Sequence, residues 1–184
     1  MTAVHVAVAR SDRLRPDPDL ADPATRRLPP TRRRDVLARR VLASELLARL
    51  APDATAVHMS GRAPVVEGPG TWFVSVTAAD GTVAAAVATQ PVGIDLVDLR
   101  SRALARRCPP GGSLRAIALD WGHHEAVVKY EAVAGAVAAM ATEVVPVAPH
   151  LVLVVASAAG TVDLTDLTDL ASDRSEPLGP TVPV

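Results

Sequence analysis

Gly93-Ile94-Asp95 sets a carboxylate into an otherwise apolar run, Pro91 to Val97. A buried carboxylate is costly unless a cation or a metal pairs with it, so this position demands a partner. Thirty residues on, Trp121-Gly122-His123-His124-Glu125-Ala126-Val127-Val128-Lys129 carries Glu125 and Lys129 four apart, on one face of a helix. Taken singly, each segment has a plainer reading: Asp95 as the cap of a following helix, Glu125 with Lys129 as a surface ion pair. His123 and His124 do not suggest zinc, because adjacent helical positions point about 100° apart.

Composition sharpens the focus on Lys129. It is the only lysine among 19 basic residues, and only four aromatic residues occur, Trp72, Phe73, Trp121 and Tyr130. A bias towards Ala, Val, Arg and Pro fits a GC-rich coding sequence, so a residue type nearly eliminated elsewhere stands out where it persists. The formal net charge of -1 supplies no global field for nucleic acid or a membrane surface, and neither is expected as a partner. Cys108 is the sole cysteine, which excludes an internal disulfide and a cysteine-based zinc site and points to a reducing, cytoplasmic compartment. The first residues lack a secretory pattern, and the apolar run from His150 to Gly160 is too short to span a bilayer.

The elements that must position these residues follow from periodicity. Val4, Val6 and Val8 alternate as in a strand over Thr2 to Ala9, and the Pro- and Asp-rich stretch from Ser11 to Pro30 reads as a loop. Thr31 is placed to cap a helix to about Leu50, with Leu37, Val41, Leu47 and Leu50 as its apolar stripe. A short strand is expected near Ala54 to Met59. Trp72 to Thr77 and Thr82 to Ala88 read as a hairpin across Ala78-Ala79-Asp80-Gly81. Pro91 to Val97 reads as a buried strand, Cys108 to Gly112 as a break, and Leu114 to about Met140 as an interrupted helix. Three strands follow, at Thr142 to Val147, Leu151 to Ser157 and Thr161 to Leu164. The order strand, helix, three strands thus occurs twice. This predicts an α+β fold of two similar lobes, residues 1–90 and 91–165, each a small antiparallel sheet on a long helix. Residues 166–184 read as a loose tail.

The paired segments resemble the signatures of the 4′-phosphopantetheinyl transferases, a Gly-Ile-Asp strand and a Trp-x-x-Lys-Glu-x-x-x-Lys helix. Gly61-Arg62-Ala63-Pro64 is similar to the family's Gly-Lys-Pro-type turn, Ser75 to Gly81 to its Ser-His loop, and Arg32 to Leu47 to its Arg-bearing first helix. The five segments stand in the family's order over about Arg32 to Gly135. The resemblance implies a pseudo-dimeric transferase fold and transfer of 4′-phosphopantetheine from coenzyme A to a serine of an acyl or peptidyl carrier protein, with magnesium. Asp95 and Glu125 are then the magnesium ligands, a hard-oxygen pair that phosphate and water complete. Lys129 reaches a phosphate as a point charge, and Glu125, Lys129 and His124 carry the catalysis. Arg34, Arg62, Thr77 and Lys129 hold coenzyme A. A second lobe supplying what short trimeric relatives take from a neighbour implies a monomer.

Three positions depart from the pattern. The family's loop histidine is Ala78, its second acidic ligand is Val97, with Asp98 expected on the opposite face, and the lysine before Glu125 is His124. The short branch of the family fills the place at Val97 with water, and an imidazole at 124 can still donate or accept a proton near neutral pH. The lost donor at Ala78 is worth about 1.5–3 kcal/mol if it was charge-assisted. An alternative therefore stands beside the first reading: a repurposed or impaired homologue that acts in polyketide or peptide natural-product biosynthesis by another reaction, with His123, His124 and Glu125 as acid–base groups. A structural α+β domain without a site is the third.

Overall fold

The computed structural model describes residues 3–57, 63–135, 140–158 and 162–166. The first half runs β1 (Val4–Arg10), a single 3-10 turn, α1 (Pro23–Arg26), α2 (Pro30–Leu50), β2 (Thr55–Val57), β3 (Val65–Glu67), β4 (Phe73–Ala79) and β5 (Thr82–Ala88). The second runs β6 (Val92–Asp98), α3 (Arg102–Ala105), α4 (Leu114–Ala134), β7 (Ala141–Ala148), β8 (Leu151–Ser157) and β9 (Val162–Asp166). The fold is α+β with small sheets, as expected. One sheet has the order β4-β5-β1-β9, a second β6-β8-β7, and β2 pairs with β3.

Three apolar layers hold these elements in the order α2, first sheet, second sheet, α4. Leu42, Leu46 and Leu47 of α2 pack on Ala7, Val83 and Val87. The opposite face of that sheet, with Val6, Ala84 and Ala86, packs on Ile94, Leu153 and Val155 of the second. The far face of the second sheet, with Val97, Val152 and Val154, meets Ala118, Ala126 and Tyr130 of α4. The central strands β5 and β8 are consequently buried at every position, because each is covered on both faces. That is why both read as continuous apolar runs instead of alternating.

Several expectations are revised locally. The hairpin turn is shorter than the sequence suggested: Ala79 pairs with Thr82, leaving Asp80-Gly81 as a two-residue turn with φ of 48° and 67°. Asp-Gly suits that turn, since both positions need positive φ. Thr31 does not cap α2. Proline at 30 presets the helical φ, the helix starts one residue before Thr31, and Pro29 takes the cap position with no side-chain bond. α4 is one unbroken helix that stops at Ala134, where Gly135 adopts φ 69° and its N–H bonds the carbonyl of Glu131. The strand expected at 54–59 is described only as Thr55–Val57; His58 and Met59 lie outside the described residues.

The last strand changes the relation of the two halves. β9, expected as part of the second lobe, pairs with β1 in the first sheet, from Val4↔Val162 to Val8↔Asp166. This pairing is parallel, whereas the other strand pairs are antiparallel, so the first sheet is mixed. Of the expected tail, 166–184, Asp166 is the last residue of β9, and 167–184 lie outside the described residues.

Candidate functional site

Asp95 faces α4 because β6 alternates. Ile94 and Leu96 enter the layer between the sheets, while Gly93, Asp95 and Val97 lie on the helix side. The helix comes very close there. A Cβ on Gly93 would sit 2.1 Å from the Ala126 carbonyl oxygen and 2.5 Å from the Tyr130 nitrogen. One on Gly122 would sit 2.4 Å from Cγ2 of Val97. Two glycines, one on each element, thus seat the helix backbone on the strand.

That seating brings Lys129 onto Asp95. Its Nζ lies 2.8 Å from Asp95 Oδ1 and donates to the Ile94 carbonyl at 2.9 Å. The two side chains keep 31% and 13% of their exposure respectively, so the pair is half-sheltered. Thr77 Oγ1 donates to the same Oδ1 at 3.1 Å and accepts from the Leu96 N–H at 3.1 Å. Ser75 Oγ accepts from the Ile94 N–H at 3.1 Å.

These bonds have one physical origin. β6 is an edge strand, paired only with β8, so alternate backbone groups point away from the ladder with no partner of their own. Ser75, Thr77 and Lys129 satisfy the free N–H of Ile94, the free N–H of Leu96 and the free C=O of Ile94. A buried backbone group left unpaired would cost about 1–3 kcal/mol. Thr77→Val should therefore lower stability by about 2 kcal/mol, since it orphans the Leu96 N–H and removes a donor from Asp95. Denaturant unfolding measures this, and a loss below about 0.5 kcal/mol would rule out the clamp.

The sequence-derived residues divide into three groups. Asp95, Lys129 and Thr77 are brought together. Glu125 and His124 lie on α4 about one turn before Lys129; Glu125 is half-buried, His124 is exposed, and neither side chain bonds to another described residue. Glu125 and Lys129 are not an ion pair, because Lys129 turns to the strand. Arg34 is exposed on α2, in the outer layer opposite α4. Arg62 lies outside the described residues. Thr77 is 3% exposed, so the hydroxyl assigned from sequence to coenzyme A is spent on Asp95 and Leu96.

The departing positions also acquire a place. Val97 fills the gap beside Gly122, a packing role. Ala78 packs in the layer under α2. Asp98 is the last residue of β6, still paired with Leu151, and the strand end from Asp95 to Asp98 borders one cleft. Oδ1 of Asp98 accepts from the Arg100 N–H at 2.9 Å.

Sequence reasoning missed a cluster at the mouth of that cleft. Oδ2 of Asp80 lies 3.1 Å from both Arg100 and His150, and Arg10 donates to the Asp80 carbonyl at 3.0 Å. The only local signal was Asp-Gly as a turn; its partners come from strand ends far apart in the chain.

For magnesium, the fit rests on Asp95. Oδ1 is taken by Lys129 and Thr77, whereas Oδ2 has no partner among the described residues. No group of three or more His, Cys, Asp or Glu among the described residues could hold a metal by itself. A site with two carboxylates completed by phosphate and water needs no such group. Also among the described residues, no helix is long and apolar enough to cross a membrane. No protein-family model matches the chain, and no curated protein matches it.

Proposed function

We propose that this chain transfers the 4′-phosphopantetheine group of coenzyme A to a serine of an acyl or peptidyl carrier protein, as a cytoplasmic monomer with a phosphopantetheinyl transferase-like, pseudo-dimeric fold. The observation that carries the reading is the close seating of α4 on β6. It joins the Gly-Ile-Asp strand to the Glu-x-x-x-Lys helix through the contact of Lys129 with Asp95.

The reaction needs charge control more than covalent help. The serine oxygen bonds to the phosphorus that bears pantetheine, the diphosphate P–O bond breaks, and adenosine 3′,5′-bisphosphate leaves. Magnesium, when bound, supplies positive charge to the diphosphate, and Asp95 through Oδ2 together with Glu125 would hold it. Lys129 has three N–H donors and uses two on Asp95 and Ile94, which leaves one for a phosphate oxygen. With Glu125 given to magnesium, His124, exposed beside it and with no side-chain partner among the described residues, is the group free to accept the serine proton.

Incubating the chain with coenzyme A, magnesium and a panel of carrier proteins should add the mass of phosphopantetheine to a carrier. No gain on any carrier at high magnesium would refute transfer. A specific observation favours the second reading, a repurposed homologue in natural-product assembly. Thr77 and Lys129 are engaged with Asp95, and residue 78 is an alanine turned to the α2 layer, so few donors are free for a diphosphate. Absence of measurable coenzyme A binding would favour that reading, and tight, magnesium-dependent binding would weaken it.

A further inference from the structure

Thr77 has a task beyond closing the edge of β6. Val74, Val76 and Ala78 pack under α2, so Ser75 and Thr77 point the other way, to the second sheet. Their hydroxyl oxygens do the same structural work there. Ser75 accepts from the Ile94 N–H and Thr77 from the Leu96 N–H, each at 3.1 Å. Ser75 makes no further side-chain bond among the described residues. Thr77 makes one more: its proton goes to Asp95 Oδ1, also at 3.1 Å. Satisfying a strand N–H requires only an acceptor, so the bond to Asp95 exceeds that structural need.

Its effect falls on the orientation of the carboxylate. A carboxylate has two equivalent oxygens, and its terminal torsion is broad unless something holds it. Lys129 alone would hold it loosely, because an ammonium on a four-carbon stem is a mobile point charge. Thr77 is stiffer. It is β-branched and 3% exposed, and its backbone is paired opposite Ala84 of β5. Because its oxygen accepts from the Leu96 N–H, its single proton is left for Asp95. Both donors meet on Oδ1, which fixes the carboxylate plane and leaves the lone pairs of Oδ2 uncommitted among the described residues.

We propose that Thr77 is a positioning residue, contributed by the first sheet, that aims Oδ2 of Asp95 at a divalent cation. The proposal rests on Asp95 as a cation ligand, so its test keeps the two questions apart. Manganese, whose free form is read by electron paramagnetic resonance, stands for magnesium and is titrated alone and with coenzyme A. The proteins are the unaltered chain, Asp95→Asn, Thr77→Val, Thr77→Ser and Ser75→Ala, each also unfolded in urea. Thr77→Val keeps the shape and should weaken manganese about tenfold, the low end of what loss of a ligand's own partner costs. Thr77→Ser restores the hydroxyl and should return the affinity to within about twofold of the unaltered chain. Ser75→Ala also orphans a β6 N–H, so it should lower stability in urea and leave manganese affinity unchanged. Equal weakening by Ser75→Ala and Thr77→Val would overturn the proposal and make Thr77 an edge clamp only. Unchanged affinity in Thr77→Val would overturn it too. Both results leave the cation site, and the proposed transfer, standing. No manganese binding by the unaltered chain in either titration, or equal binding by Asp95→Asn, would overturn Asp95 as the ligand, and this proposal with it.

Discussion

Gly93→Ala is expected to cost about 3 kcal/mol or more, and to lower Tm by about 6–12 °C in a chain of this size. The added methyl would lie 2.1 Å from the Ala126 carbonyl oxygen and 2.5 Å from the Tyr130 nitrogen, both backbone atoms that no rotamer change can move. Relief requires α4 to lift from β6, which strips apolar cover from the layer around Val154 and draws Lys129 away from Asp95. A control separates this clash from mere loss of glycine flexibility. Gly111 has open space around its missing Cβ but a φ of 78°, so Gly111→Ala should cost only about 1–2 kcal/mol of backbone strain. Thermal and denaturant unfolding of both variants decide the matter. If Gly93→Ala costs no more than the control, the helix does not sit on the strand as closely as described, and the site geometry falls with it.

The second large effect belongs to Lys129. Lys129→Met keeps much of the stem volume but leaves the Asp95 carboxylate, 13% exposed, with only Thr77, and the Ile94 carbonyl without its donor. Breaking fully buried pairs costs about 3–5 kcal/mol; here, with partial exposure, about 2 kcal/mol is expected. Asp95→Asn removes the charge and keeps the shape. Combined with Lys129→Met, it should recover about 1 kcal/mol relative to the sum of the two single losses, because the orphaned charge is then absent. Additivity within about 0.3 kcal/mol would show that the pair is not coupled. Function adds an independent readout. Under the proposed function, in which Lys129 balances a metal ligand and reaches a phosphate, Lys129→Met should lower transfer by about two orders of magnitude at magnesium concentrations that leave the variant folded. Unchanged coenzyme A affinity in Lys129→Met would reduce Lys129 to a clamp on an edge strand.

That last contrast matters because the same atoms serve two purposes. Lys129, Thr77 and Ser75 close the free edge of β6, a structural need of any exposed strand. Asp95 Oδ2 and the Glu125 carboxylate remain outside that arrangement, and they are the groups on which the proposed chemistry depends.

The amino-acid sequence alone determined the local elements and the identity of the residues most worth following. Alternation in β1, the Asp-Gly turn, the apolar runs of β5 and β8, and the four-residue spacing of Glu125 and Lys129 are short-range properties, set by backbone geometry and side-chain polarity within a few residues. The singular lysine drew attention to position 129 before any contact was known. Tertiary structure decided which of these residues meet. Lys129 reaches Asp95 across 34 residues of chain because two glycines admit the helix, and nothing local to either segment encodes that approach. The same holds for Thr77, whose hydroxyl went to a strand edge; for Asp80, which recruits Arg100 and His150; and for β9, which crossed to the first sheet. Pairing of this kind is chosen by burial and by the need to satisfy every backbone group at once, a global condition that periodicity does not express.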